Sequence, residues 1–209
     1  MLAAPVNPSD INAIQGVYPV PLVPATCVTD NTSVSVAGFE GVAQVVAVGD
    51  RVTDAHAPQP GEWVIPDTAG FGTWRAHAVV PATDVAVVRR AGSDSALQVA
   101  AAASLSVNTT TAYRLLRDFA NLEAGDTVVQ NAGNSAVGRY VIQLSVAAAK
   151  VAFNSVGGKS ATELLHALAP GGTHVTYGVM TREPMAVPAS LLIFKDKFAN
   201  GELVTPPPE

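Results

Sequence analysis

The stretch from Gly125 to Gly138, GDTVVQNAGNSAVG, constrains the fold more than any other part of the chain. Thr127 to Gln130 is a short β-branched run, as in a buried strand. Asn131 to Ser135 is small and polar, as a turn must be. From Val137 to Ala149 apolar residues return at helical spacing, with Val137, Val141, Leu144 and Ala148 on one stripe. In such a strand–turn–helix unit, the first helical N–H groups and the helix dipole face the turn and attract a phosphate. The usual dinucleotide fingerprint is G-x-G-x-x-G. Here only Gly133 and Gly138 are glycines, and Ala136 stands where a further one would help. An ordinary strand-to-helix turn fits the same pattern. Asn131, Asn134 and Ser135 weigh toward the nucleotide reading, because they add side-chain donors to a turn that already presents backbone N–H groups.

Around this unit the chain has two textures. In the first, Ser9 is placed to cap a short helix over Asp10 to Ile14 that ends at Gly16. Residues 19–35 read as loop. Val34 to Val48, Glu62 to Ile65 and Gly72 to Val80 read as short strands between Gly/Pro turns, which implies a compact β module. From about Ser93 strands and helices alternate. Ser93 to Ala103 is alanine-rich and helical, with Ser93 or Ser95 as cap. A helix runs through Tyr113, Leu116 and Phe119. Val151 to Val156 is a strand, Ser160 to Leu168 a helix and Gly172 to Tyr177 a strand. That alternation implies a parallel α/β sheet. The domain reading is therefore 1–92 for the β module, to which 197–209 is free to return, and 93–196 for the nucleotide-binding module.

Composition excludes several classes. The formal charge of −5 argues against a nucleic-acid partner. The single Cys27 rules out a disulfide framework, and His56, His77, His166 and His174 have no metal-ligand spacing. No stretch approaches a membrane span free of polar residues. The first basic residue is Arg51, so no Arg-rich presequence is visible.

At two joints the pattern breaks. A crossover helix normally ends at Gly or Asn before the next strand, yet Ala147 to Lys150 runs straight into Val151 to Phe153. No Asp, Glu or Arg follows a second strand to read the adenosine ribose, where one is expected about 20 residues on. The same abruptness recurs at Lys195 to Lys197. Both read as places where a longer parent chain has lost a segment. A loss after Lys150 is expected to remove interior strands, to make neighbours re-pair or expose their edges, and to leave the helix from Val137 without a partner strand on one side.

Pro5 to Asn12 with Tyr18 resembles the mitochondrial 2-enoyl thioester (trans-2-enoyl-CoA) reductases, in the zinc-free branch of the medium-chain dehydrogenase/reductases. Matching blocks follow in the family's order: Glu40 to Gly49, Gly72 to Arg75, Asn108 with Thr111 to Arg114, Asn131 to Gly138, Val156 to Ser160, and Leu191 to Asp196. Phe39 and Ala136 depart from the family pattern, and residues 25–36 look unlike it. The resemblance implies a GroES-like β module joined to an incomplete Rossmann-type module. It implies NADPH-dependent reduction of enoyl-CoA or enoyl-acyl carrier protein in mitochondrial fatty acid synthesis, by a homodimer or a subunit of a larger complex. NADPH rather than NADH rests on the resemblance alone.

By that resemblance Tyr18 gives a proton to the substrate α-carbon. Hydride arriving at Cβ leaves an enolate that needs such a donor, and an unperturbed phenol keeps its proton at neutral pH. Asn108, Asn134, Ser135, Ala136 and Val137 lie along the cofactor, as do Tyr177, Gly178, Val179 and Met180. Asn7 helps hold the active site. Each also has a plainer role: an aromatic under a loop, an Asn bonding its own backbone, a strand-end turn. Glu40 follows Phe39 where zinc-dependent relatives carry His-Glu, so zinc is not expected and Glu40 reads as structural. Arg89 and Arg90 read as a solvated pair, with contact to a carrier phosphate as the sharper alternative. Two other functions stay open: a degenerate relative kept as a structural subunit or scaffold, and a quinone or alkenal reductase.

Overall fold

The computed structural model describes residues 1–26, 31–68, 70–119, 121–122, 126–145, 151–168, 171–195 and 198–201. It divides into two units that meet in sequence at Val107 and Asn108. Cys27, Gly125, both joints at Lys150 and Asp196, and the stretch 202–209 lie outside the described residues.

The first unit opens with α1 (Pro8–Ile14). Its cap is Asn7, not Ser9. Pro8 suits the first helical position, and Asp10 closes a capping box by accepting the Asn7 N–H at 2.8 Å. Residues 19–35, expected as loop, contain an antiparallel hairpin of β1 (Val23–Thr26) and β2 (Ser33–Val36). Its Val and Thr content outweighs Pro24, which a two-stranded ladder tolerates because it has edges only.

A second antiparallel sheet has the order β3 (Ala43–Gln44), β4 (Trp63–Pro66), β5 (Val85–Arg89). Here expectation and structure part. Val45 to Val48, rich in Val, and Gly72 to Val80, with Thr73, Val79 and Val80, form no strand, while Val85–Arg89 pairs with β4. Side-chain type permits a strand, but a strand also needs a partner edge. Both edges of β4 are taken by β3 and β5. The core beneath this sheet holds Val42, Ala102 and Ala103, packed by Trp63, Ile65, Val99 and Leu105. The expected helix over Ser93 to Ala103 shrinks to α2 (Val99–Ala102). Ser95 accepts the Leu97 N–H at 3.3 Å and so builds a turn instead of a cap.

Leu105–Thr109 forms a single π-helical turn that leads into α3 (Thr110–Asp118). The second unit is a parallel sheet of β6 (Val128–Gln130), β7 (Val151–Asn154), β8 (Thr173–Thr176) and β9 (Phe198–Gly201), paired in that order. The helices are α4 (Ala136–Leu144), α5 (Gly158–Ala167) and α6 (Ala189–Lys195). β7 is buried on both faces, as a central parallel strand must be. Val151 and Phe153 join Ala112 and Leu115 of α3 and Val141 of α4 in one cluster. Ala152 turns the other way, to Leu164 and Leu165 of α5.

Two expectations about this unit need correction. α4 ends at Leu144 instead of Ala149, because Ser145 turns extended and its hydroxyl bonds the Val141 carbonyl at 2.6 Å. Nor is the sheet broken in its interior. β6 pairs directly with β7 (Val128 opposite Val151), as the first strand pairs with the fourth in the doubly wound order 3-2-1-4-5-6. β6 is the end strand of the sheet, and its outer edge has no strand partner among the described residues. α4 keeps its support, since Val141 is buried with Leu115, Val151 and Phe153.

Candidate functional site

The turn after β6 is built to present main-chain donors. Ala132 takes φ +51°, a left-handed conformation unusual for a residue with a Cβ. Its carbonyl accepts the Ser135 N–H at 2.8 Å. Ser135 caps α4, with its hydroxyl accepting the Gly138 N–H at 3.0 Å. Among the described residues the N–H groups of Gly133, Asn134, Ala136 and Val137 meet no acceptor. Asn134, Ser135 and Ala136 are exposed, so these donors ring an open helix N-terminus. Gly138 is there for packing: a Cβ would fall 2.5 Å from the Ala132 carbonyl oxygen. Gly133 has open space instead, with nothing nearer to a Cβ than Gln130 Nε2 at 3.9 Å.

Tyr177 to Met180 follows β8 at the same carboxyl edge of the sheet. The segment is laid along the loop after β7: Tyr177 N–H donates to the Asn154 carbonyl at 2.9 Å and Met180 N–H to the Ser155 carbonyl at 3.1 Å. Gly178 passes so close that a Cβ would sit 3.1 Å from the Ser155 carbonyl oxygen. Val179 and Met180 are exposed. The Tyr177 hydroxyl is buried without a well-placed hydrogen-bond partner. Burial raises its pKa, and the Ser155 and Ser135 hydroxyls nearby offset part of the rise. Tyr177 and Val137 pack against the same buried cluster, which brings this segment beside the start of α4.

Side-chain amides join these segments. Asn131 Nδ2 donates to Asn154 Oδ1 at 2.7 Å and to Ser160 Oγ at 3.2 Å, while Asn131 Oδ1 accepts the Ser155 N–H at 2.9 Å. Asn154 and Ser155 were not legible as site residues in the sequence. Their one signal is an Asn at a strand end before a Gly-Gly pair. Asn108 is buried in the π-helical turn, a distortion that recurs at functional sites. It opens α3, whose Ala112 and Leu115 share a cluster with Tyr177 and Val137. Of the expected cofactor residues, the structure therefore brings together Asn134 to Val137 and Tyr177 to Met180.

Tyr18 belongs to the first unit. It is half-buried, with its ring centroid 5.4 Å from that of Phe39. Burial raises its pKa, and the Asp10 charge adds to the rise, so the phenol holds its proton firmly at neutral pH. Asp10 is buried and clamps both neighbours, accepting the Asn7 N–H at 2.8 Å and the Phe39 N–H at 2.9 Å. Burial raises the Asp10 pKa too, against those two donors. Asn7 Nδ2 donates to Glu40 Oε1 at 2.8 Å, and Glu40 Oε2 accepts the Val107 N–H at 2.9 Å. Fully buried Glu40 thus ties the start of α1 to the π-helical turn. Of the expected solvated pair, Arg90 is exposed and meets Glu62 at 3.0 Å, whereas Arg89 ends β5 half-buried and lies over the Trp63 ring at 4.3 Å. Among the described residues no three His, Cys, Asp or Glu side chains gather as metal ligands, and no helix is long and apolar enough to cross a membrane.

No family model matches the chain. Curated relatives do. The chain is 44% identical over 251 positions to the mitochondrial enoyl-acyl-carrier-protein reductase of Homo sapiens, covering 96% of this chain and 62% of that protein. It is 39% identical to the protein of the same name from Xenopus tropicalis, covering 98% of this chain and 68% of the relative. Among solved structures, the complex of Etr1p with NADP and crotonyl-CoA superimposes with a TM-score of 0.82 at 32% identity, over 97% of this chain and 71% of that one. The chain thus spans 62% of its human relative's length. The alignment takes 251 positions while using 96% of these 209 residues, so about 50 of its positions have no residue of this chain.

Proposed function

The chain belongs to the family of mitochondrial enoyl-acyl-carrier-protein reductases, and from that premise we propose that it reduces trans-2-enoyl thioesters with NADPH. The observation that carries the reading is the ring of unpaired N–H groups at Gly133, Asn134, Ala136 and Val137 around the N-terminus of α4. Such a site suits the pyrophosphate of a dinucleotide, because donors and helix dipole both favour negative charge. Ser135 and Asn134 add side-chain donors, and Tyr177 to Met180 and Asn108 complete the residues assigned to the cofactor.

NADPH supplies the hydride that the β-carbon of the enoyl thioester accepts. The charge then resides on the thioester enolate, and Tyr18 donates its phenolic proton to Cα. Its raised pKa suits a donor that must stay protonated until the enolate forms. Substrates are enoyl groups on coenzyme A or acyl carrier protein, and the setting is the mitochondrion. A dimer or larger assembly is supported by the uncovered edge of β6, since an unpaired strand edge is a template for pairing. A fluorescence titration with NADPH tests the reading, followed by oxidation of NADPH on adding crotonyl-CoA. No saturable binding sinks it.

A structural subunit without turnover is the second reading. It is favoured by the roughly 50 alignment positions without a residue of this chain and by the uncovered β6 edge. Isolation of a free chain that oxidises NADPH with an enoyl thioester argues against it.

A further inference from the structure

Asn154 has no assigned role, yet three loops at the carboxyl edge of the sheet depend on its side chain. It is fully buried. Its Oδ1 accepts from Asn131 Nδ2 at 2.7 Å and from the N–H groups of Val156 and Gly157 at 3.1 Å each. Its Nδ2 donates to Thr176 Oγ1 at 3.1 Å. The amide can point only one way, because reversal would set an NH2 against three donors. Asn131, held in this way, in turn accepts the Ser155 N–H at 2.9 Å. One side chain therefore ties the turn after β6, the loop after β7 and the end of β8. A buried amide with both ends satisfied specifies a single arrangement of its partners, whereas an apolar replacement removes the acceptor of the Val156 and Gly157 N–H groups and leaves Asn131 Nδ2 with Ser160 Oγ alone.

We propose that Asn154 is a positioning residue for nucleotide binding, fixing the spacing between the Asn131–Val137 turn and the Tyr177–Met180 segment. The inference rests on the nucleotide reading above, and Asn154 acts through these loops without touching the ligand. Asn154→Leu keeps the volume and removes every bond. Asn154→Asp keeps acceptors for all three donors, and the Thr176 hydroxyl can turn to donate to the second oxygen.

The test has two arms. Without nucleotide, NMR compares the amide resonances of 131–137 and 177–180 in wild type and both variants, with hydrogen exchange at Val156 and Gly157. With NADPH, fluorescence gives the dissociation constants. Asn154→Leu is expected to speed exchange at both amides, shift both segments and weaken NADPH by about tenfold or more. Asn154→Asp is expected to lose less than Asn154→Leu, because the three donors keep an acceptor and the Thr176 bond reverses, while the buried carboxylate keeps it below wild type. Thr176→Val removes one contact and gives the same pattern at reduced size if the leucine variant does not fold. The proposal is overturned if Asn154→Leu moves neither segment, if it moves them at wild-type affinity, or if Asn154→Asp loses as much as Asn154→Leu. A wild-type chain that ignores NADPH refutes the nucleotide reading instead, and the resonances alone then decide whether Asn154 sets the spacing.

Discussion

Gly138→Ala separates two effects of opposite sign. In an exposed helix, replacing Gly by Ala stabilises by about 1 kcal/mol through helix propensity. Gly138 is instead buried in the first turn of α4, and an added Cβ would meet Ala132 O at 2.5 Å, Gly133 Cα at 2.9 Å and Gly133 C at 3.0 Å. All three are main-chain atoms, so no side chain can swing away and the turn itself must move. Overpacking of this kind costs about 1–3 kcal/mol. Set against the propensity gain, the net expectation is a loss of up to about 2 kcal/mol. The displaced atoms belong to the segment that carries the unpaired N–H groups, so NADPH affinity should fall further than stability alone explains. Ser135→Ala is the control. It removes the cap, at about 1 kcal/mol, and leaves the Gly133–Gly138 contact alone. Urea denaturation and NADPH titration of both variants give the comparison. A Gly138→Ala chain that gains stability and binds NADPH as wild type would refute the packing argument.

Other outcomes follow from the same geometry. Tyr18→Phe should slow crotonyl-CoA reduction sharply while NADPH affinity stays put, whereas a quinone reductase should be indifferent to the change. Because burial and Asp10 raise the Tyr18 pKa, the alkaline loss of turnover should begin above the ordinary phenol value of 10.0; Asp10→Asn should move that limb down. His174 is fully buried, and burial lowers its pKa from 6.5, so the unfolded chain binds a proton there that the folded chain does not. Stability from this group is present above the ordinary imidazole pKa and is lost as pH falls through and below it; His174→Phe should flatten that part of a stability–pH curve. Phe153→Ala removes a fully buried ring from the cluster shared by β7, α3 and α4 and should cost about 3–5 kcal/mol in urea denaturation.

How much of this was legible differs between the units. In the second unit β6, β7 and β8 lie at or near runs expected as strands, whereas β9 (Phe198–Gly201), in a stretch expected as free to return to the β module, pairs with β8 instead. β7 and α5 lie where Val151 to Val156 and Ser160 to Leu168 place them. In the first unit the local pattern misleads, because pairing partners are distant in sequence. Gly72 to Val80 carries a Thr and two Val but finds no partner, whereas Val85–Arg89, distant in sequence, takes the second edge of β4. Ser93 and Ser95 look like caps, but Ser95 folds back on Leu97. At the site, the turn at Asn131 to Gly138 is visible because its residue types are unusual together. Asn154 is invisible because its importance lies in partners on three separate segments. The abrupt joint at Lys150 suggests a sheet broken in its interior, and only the β6–β7 pairing shows that these two strands are neighbours.

The central claim is that the Asn131–Gly138 turn holds the pyrophosphate of NADPH, with the loss expected after Lys150 taking away contacts to the adenosine ribose. Two lost charge-assisted hydrogen bonds at about 1.5–3 kcal/mol each would weaken binding by roughly two to four decades. The direct measurement is an NADPH fluorescence titration on a chain whose intact mass matches all 209 residues. The account predicts a curve that saturates, with a dissociation constant well above micromolar. A titration that stays flat at millimolar NADPH contradicts it.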